Sequence, residues 1–177
     1  DRAIFNQFPA AFKKNGTVTA GNSSLPCDGA AAVMLASQDA VEKHHLKPLA
    51  RVLGYSVIAG DPHEVFTLGV DAVKQCLKRC QLKLEELDLL ELSEAFAAQV
   101  LANLAAFEKD PSLGAVDPEI LNPNGGAIAL GHPVGASATR LVLTLLREMK
   151  RRKVAYGLAT LCIGGGQGAT IVLEGVA

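Results

Sequence analysis

Two clusters in the 177-residue chain hold side chains able to do chemistry. His132 lies in Gly131-His132-Pro133, within a stretch that also carries Gly125, Gly126 and Gly135. Cys162 ends an apolar run and immediately precedes Ile163-Gly164-Gly165-Gly166-Gln167-Gly168. Glycine permits φ > 0 and lets backbone N–H groups approach a ligand or a developing charge. An imidazole of unperturbed pKa ~6.5 and a thiol of ~8.5 can exchange protons near neutrality, as an acid/base or a nucleophile pair. Neither cluster ends in Lys-Ser/Thr or reads G-x-G-x-x-G, so a phosphate cradle is disfavoured. The competing reading is plain: a cysteine in an apolar strand is more often core, and a loop histidine is often only a surface group.

The elements that must position these groups can be read from patterning. The apolar run 29–36 suits a buried strand, and Ser37 then caps a short helix through His45. A strand is expected over 48–60, ending at Gly60-Asp61-Pro62. Val70, Val73, Leu77 and Cys80 mark a helix over 69–80. Leu87 to Leu92 is a short apolar run that ends at Ser93. A helix over 94–108 should bury Ala95, Ala98, Leu101, Ala102 and Ala105. Residues 109–135, rich in Pro and Gly, read as one long loop, and loops of that length are usually functional. A helix follows over 137–153 with a basic end, then strands over 154–163 and 169–174. Strands alternating with helices and closing on a hairpin indicate a layered α/β domain.

Composition narrows the function. A net charge of −1 gives no field for nucleic acid, and with 49% hydrophobic and 20% charged residues the chain can fold around a core rather than stay disordered. Aromatic residues are 5% with no Trp, so the core must come from Ala, Val, Leu and Ile. No uncharged apolar run of about 18 residues is present, so no membrane span is expected, and Asp1-Arg2 opens no secretory leader. Four cysteines, Cys27, Cys76, Cys80 and Cys162, are too few and too irregular for a disulfide scaffold. A reduced, cytoplasmic compartment is expected, with an organelle matrix left open. Cys76 and Cys80 lie one turn apart with no further ligand at metal-site spacing, so packing is the expected role and no metal is expected. His44, His45 and His63 read as surface residues. The basic residues 147–153 read as charge placed favourably at a helix C-terminus rather than a phosphate site.

Asn122-Pro123-Asn124-Gly125-Gly126-Ala127-Ile128-Ala129-Leu130-Gly131-His132-Pro133-Val134-Gly135-Ala136-Ser137 resembles the active-site histidine loop of the thiolase family. Cys162 to Gly168 resembles that family's second-cysteine loop. Gly16 to Ser24 with Asp28 to Ala32 resembles its coenzyme A segment, and Ser93-Glu94-Ala95-Phe96-Ala97 its Asn-Glu-Ala-Phe motif. These motifs, in the family's order, cover nearly the whole chain.

The resemblance implies a thiolase-like fold, the C-terminal half of a layered α/β enzyme with a mixed sheet, over residues 1–177. It implies reversible Claisen condensation or thiolysis of acyl-CoA thioesters, of the acetyl-CoA acetyltransferase or 3-ketoacyl-CoA thiolase type. His132 would activate a nucleophilic cysteine and help form an oxyanion hole, Cys162 would move the proton at the α-carbon, and the N–H of Gly164 would belong to the second oxyanion hole. Phe12, Ala20, Ser24, Ala95 and Phe96 match positions lining the CoA and acyl pocket. CoA enters as substrate, with no separate cofactor.

The expected partners are acyl-CoA or CoA, a complementary N-terminal half bearing the nucleophile, and further copies in a homo-oligomer. Ser93 stands where the family has Asn, which holds a water in the first oxyanion hole. Ala138 for Gly and Ser23 for Ala are smaller departures. Two other readings remain: a non-catalytic thiolase-like subunit that binds acyl-CoA or a partner, and a different condensing enzyme, disfavoured because such relatives tend to use two histidines.

Overall fold

The computed structural model describes residues 2–5 and 7–176. Its centre is a four-stranded mixed sheet in the order β1-β4-β3-β2, built from β1 (Ala50–Ala59), β2 (Leu89–Leu92), β3 (Tyr156–Ile163) and β4 (Gln167–Gly175). β3 and β4 form an antiparallel hairpin, β4 pairs antiparallel with β1, and β2 pairs parallel with β3. The parallel pair needs a long crossover, supplied here by the segment from 93 to 155.

The helices are α1 (Arg2–Phe5), α2 (Gln38–Lys43), α3 (Leu68–Cys80), α4 (Ala97–Lys109), α5 (Ala127–Leu130) and α6 (Ser137–Arg152). The alternation of side chains along β2 divides the core. Leu90 and Leu92 pack with Val73, Leu77, Phe107 and Leu158, while Leu89 packs with Leu141, Leu145 and Met149 of α6. The sheet is thus sandwiched between α3 with α4 on one face and α6 on the other. Two buried polar contacts fasten α3 to the sheet: Ser56 Oγ donates to Ala72 O at 2.6 Å, and Thr160 Oγ1 to Gly69 O at 3.3 Å.

Most expected elements form within a few residues of the sequence reading, including the Ser37 cap, whose Oγ accepts from Ala40 N at 3.2 Å. Three expectations need correction. Residues 29–36 join no ladder among the described residues, and Met34 and Leu35 are 83% and 80% exposed. Apolar composition favours a strand only where another strand supplies its hydrogen bonds. α4 starts three residues later than expected and buries Gln99, Asn103 and Phe107, leaving Leu101 65% exposed. An Ala-rich helix has a weak apolar face, so one large side chain, Phe107, decides its orientation. The long loop holds one helical turn, α5. The four cysteines are free: Cys76 is buried in the core with Cys80 against it, and Cys27 is exposed. At the end of α6, Arg151 and Arg152 are both bound to the buried carboxylate of Glu148.

Glu91 is the exception inside this core. It is 1% exposed, faces α6, and its carboxylate oxygens have no hydrogen-bond partner among the described residues. Burial pushes its pKa from 4.5 up to about 7; the Arg140 charge opposes this, and Glu94 and Glu148 reinforce it. The folded chain therefore holds this proton more tightly than the unfolded chain does. Its contribution to stability is full below about pH 4.5 and is lost as pH rises through about 7. Urea unfolding across that window should show a loss of up to about 3 kcal/mol from this group. Glu91→Gln should flatten the slope, and an unaltered slope would assign it to other groups.

Candidate active site

The site begins at the ends of β2 and β3. Their parallel register pairs Leu92 with Thr160, so both strands emerge at the same end of the sheet. Ser93 is buried, and its N–H donates to Thr160 O at 3.0 Å. Thr160 is held by Thr170, whose Oγ1 donates to Thr160 Oγ1 at 2.9 Å. Two residues on, Cys162 is half-buried and pairs with Gly168 of β4. Burial pushes its thiol pKa up, against the pull of a backbone amide. Such a thiol keeps its proton at neutral pH and is a proton donor until another group takes that proton. The glycines that follow make the turn into β4, with φ of 90° at Gly165 and 88° at Gly166. Nothing lies within 4 Å of where a Cβ would sit on Gly164, which borders open space.

The histidine loop lies along the free edge of β2. Leu90 N donates to Ile120 O at 2.9 Å, and Asn122 N to Leu90 O at 2.8 Å. The Asn122 side chain then replaces a strand neighbour: its Oδ1 accepts from Leu92 N at 2.8 Å and its Nδ2 donates to Leu92 O at 2.9 Å. Glu94 accepts from Asn122 Nδ2 at 2.9 Å and from Ile128 N at 3.1 Å. α5 ends on Gly131, whose φ of 92° turns the chain into His132. His132 N donates to Leu25 O at 2.8 Å. Its Nδ1 lies 2.7 Å from Ser137 Oγ, which donates its own proton to Pro133 O at 3.1 Å. With its proton on Pro133 O, Ser137 Oγ is free to accept from Nδ1–H, which would leave Nε2 facing away from Ser137.

A short strap, Ser23–Pro26, stitches the two regions together. Ser23 bridges Phe96, and Ser24 donates to Ala95 O through both its N–H and its Oγ, each at 3.0 Å. One residue further, Leu25 accepts from His132, and Pro26 bridges His132. Phe12 packs edge-on against Phe96, with ring centroids 5.7 Å apart, and Phe66 does so at 5.6 Å. Ala20 is exposed in the turn Ala20–Asn22 that leads into the strap. Of the candidate residues, Ser24 and Ala95 are bonded directly, His132 and Phe96 join them through the neighbouring strap residues Leu25, Pro26 and Ser23, and Phe12 joins through Phe96. Ser93 is bonded to β3 at Thr160, and Cys162, two residues further along β3, pairs with Gly168 rather than with the histidine loop.

Two grooves are present, the first beside the histidine loop and the second toward the other end of the sheet. One, of about 430 Å³, runs between Cys27–Ala31 and Pro133–Ala136. The other, of about 710 Å³, is largely apolar and is lined by Val33, Leu35, Leu49, Val142, Leu146 and Leu173. Neither the imidazole nor Cys162 lines these two grooves. Among the described residues no group of three or more His, Cys, Asp or Glu is placed to hold a metal ion. No helix among them is long and apolar enough to cross a membrane.

Comparison with known proteins decides the family. Residues 46–175 match the model of the thiolase C-terminal domain, and residues 5–39 that of the thiolase N-terminal domain. The chain belongs to the thiolase family. It is 48% identical over 172 residues to mitochondrial 3-ketoacyl-CoA thiolase of Bos taurus, covering 97% of this chain and 42% of that protein. It is 49% identical over 164 residues to acetyl-CoA acetyltransferase of Shinella zoogloeoides, covering 93% and 40%.

Among solved structures, human mitochondrial 3-ketoacyl-CoA thiolase superposes with a TM-score of 0.90 at 42% identity, covering 100% of this chain and 43% of that one. A structure of the same human protein in complex with CoA matches equally well. The chain therefore spans about two fifths of the length of these relatives. The thiolase fold and the mixed α/β sheet expected from the sequence are both present.

Four residues acquire structural roles that sequence reading did not assign: Asn122, Glu94, Ser137 and Phe66. The first three lie within the quoted motifs, but their partners are on other segments. Phe66 lay in no motif, and only its aromatic character marked it. Ser137→Ala should leave Nδ1 without this partner and shift the nitrogen-15 NMR signals of the imidazole. A spectrum unchanged from the parent would show that another group holds the ring.

Proposed function

We propose that this chain carries part of a thiolase active site and serves an enzyme of the acetyl-CoA acetyltransferase or 3-ketoacyl-CoA thiolase type, an acyl-CoA C-acyltransferase. The observation that carries the reading is the placement of His132: its Nδ1 lies 2.7 Å from Ser137 Oγ, and its backbone is strapped to the segment bearing Ala95 and Phe96. In thiolysis, Nε2 takes the proton of a nucleophilic cysteine supplied by a complementary N-terminal half. The thiolate attacks the 3-keto carbon, the C2–C3 bond breaks, and the departing α-carbon takes the proton of Cys162. The thiol of CoA then attacks the acyl-enzyme carbonyl as its proton restores Cys162, the bond between acyl group and cysteine breaks, and His132 returns its proton to the released cysteine.

Negative charge grows on the thioester oxygen as the α-carbanion forms. The N–H of Gly164 would stabilise it, and losing one such donor typically costs ~2.7–4 kcal/mol. Ser93 would position the water that the family's Asn holds. Phe12, Ala20, Ser24, Ala95 and Phe96 would line the pantetheine and acyl path, with CoA as substrate and no further cofactor. Further partners in this reading are other copies of the protein. The compartment is the cytoplasm or an organelle matrix, as for the mitochondrial relatives.

Ser93 also favours a second reading, a thiolase-like subunit that binds acyl-CoA without turnover. So does the state of the other cysteines, Cys76 and Cys80 being packed in the core and Cys27 exposed on the strap side of His132. The two readings separate experimentally. The chain alone should show no thiolysis, and paired with its complementary half it should be active. In that pair His132→Ala and Cys162→Ala should each lower kcat by orders of magnitude, and near-normal rates in both would refute the roles given. The chain by itself should associate in sedimentation, because its apolar groove and exposed sheet face need cover; a monodisperse monomer would contradict this.

A further inference from the structure

We infer that Glu94 is a positioning residue: its carboxylate clasps the one-turn helix α5 and so sets where His132 stands relative to Ser93 at the end of β2. The inference rests on the reading of His132 as the base of the site. α5 has four residues and ends on a glycine of positive φ, so it cannot hold its own place; one isolated turn is unfavourable in water. Its position must be imposed from outside. Glu94 does this through Ile128 N, the second residue of the turn, at 3.1 Å, and through Asn122 Nδ2 at 2.9 Å. Both bonds end on a carboxylate and are of the stronger, charge-assisted kind.

The loop is shaped to admit this carboxylate. A Cβ on Gly126 would overlap the Glu94 carboxylate itself. Gly126 has φ of −127°, which any residue can adopt, so its requirement for glycine is one of space. Glu94 directly follows Ser93, and Ile128 lies four residues before His132. The clasp therefore links the residue after Ser93 to the turn that leads into His132. Ser137 orients the ring, and Leu25 holds the backbone of His132 from the other side.

The test uses Glu94→Ala, Glu94→Gln and Gly126→Ala in the full chain. Amide exchange is followed by NMR together with the nitrogen-15 signals of the His132 ring. In Glu94→Ala, exchange at Ile128 to Gly131 should quicken by about tenfold or more, as the loss of a charge-assisted bond allows. The His132 ring signals should shift or double. Glu94→Gln keeps one carbonyl acceptor and should fall between parent and Glu94→Ala. Gly126→Ala should reproduce Glu94→Ala although the carboxylate remains.

Amides of Leu158 and Val172, in the core, should stay as protected as in the parent. Paired with the complementary half, Glu94→Ala should lower kcat with KM for CoA changed less than about twofold, since no CoA contact is removed. Unchanged ring signals and exchange in Glu94→Ala would overturn the inference. So would equal loss of protection at Leu158 and Val172, which marks a general structural role. If the parent pair itself proves inactive, the proposed function fails, while the NMR comparison still decides the clasp.

Discussion

Leu92 is the residue on which the arrangement turns. Its strand has one true neighbour, β3, and on the open side the side chain of Asn122 supplies both a donor and an acceptor to Leu92. A buried backbone amide left without partners would cost as much as a lost hydrogen bond. Asn122 removes that cost and in doing so ties the start of the histidine loop to the end of the sheet. Ser93 and Glu94 leave the strand at this point, one reaching Thr160 and the other α5. The strap Ser23–Pro26 then closes the assembly from the opposite side. Each chemically able group is thus fixed by backbone or short polar contacts rather than by long flexible side chains.

The two faces of the sheet are covered unequally. α3 and α4 close one side, while α6 covers chiefly β2 and β3. Tyr55 and Val57 of β1 stay 66% and 60% exposed, and Met34 and Leu35 are 83% and 80% exposed. Exposed apolar surface on this scale marks a contact region. Within the proposed function it is the surface that a complementary half and further copies would bury, which unites the unpaired segment and the apolar groove in one explanation.

The interior also keeps polar groups where apolar ones would pack. Thr160 and Thr170 satisfy one another and the backbone of Gly69 and Ala169, so they cost little and fix the register near Cys162. Glu91 is different, with neither oxygen bonded and Arg140 acting on it only as a nearby charge. A carboxyl in that setting is tolerated by holding a proton. It lies on the face of β2 opposite Leu90 and Leu92, so the site end of the strand and its titrating group share one short element.

The sequence by itself determined the local elements and the identity of the reactive groups. Periodicity located α3, α6 and the β3–β4 hairpin, because their apolar positions recur at helix or strand spacing, and long motifs marked His132 and Cys162. It did not determine which face of α4 is buried: alanine is nearly neutral, and only packing of Phe107 chose the side. It could not show that residues 29–36 join no ladder, since a strand's hydrogen bonds belong to its neighbour. The roles of Asn122, Glu94 and Ser137 were likewise decided by tertiary structure. A hydrogen bond depends on distance and direction between segments up to 34 residues apart in the chain, and those exist only once the sheet has brought its ends together.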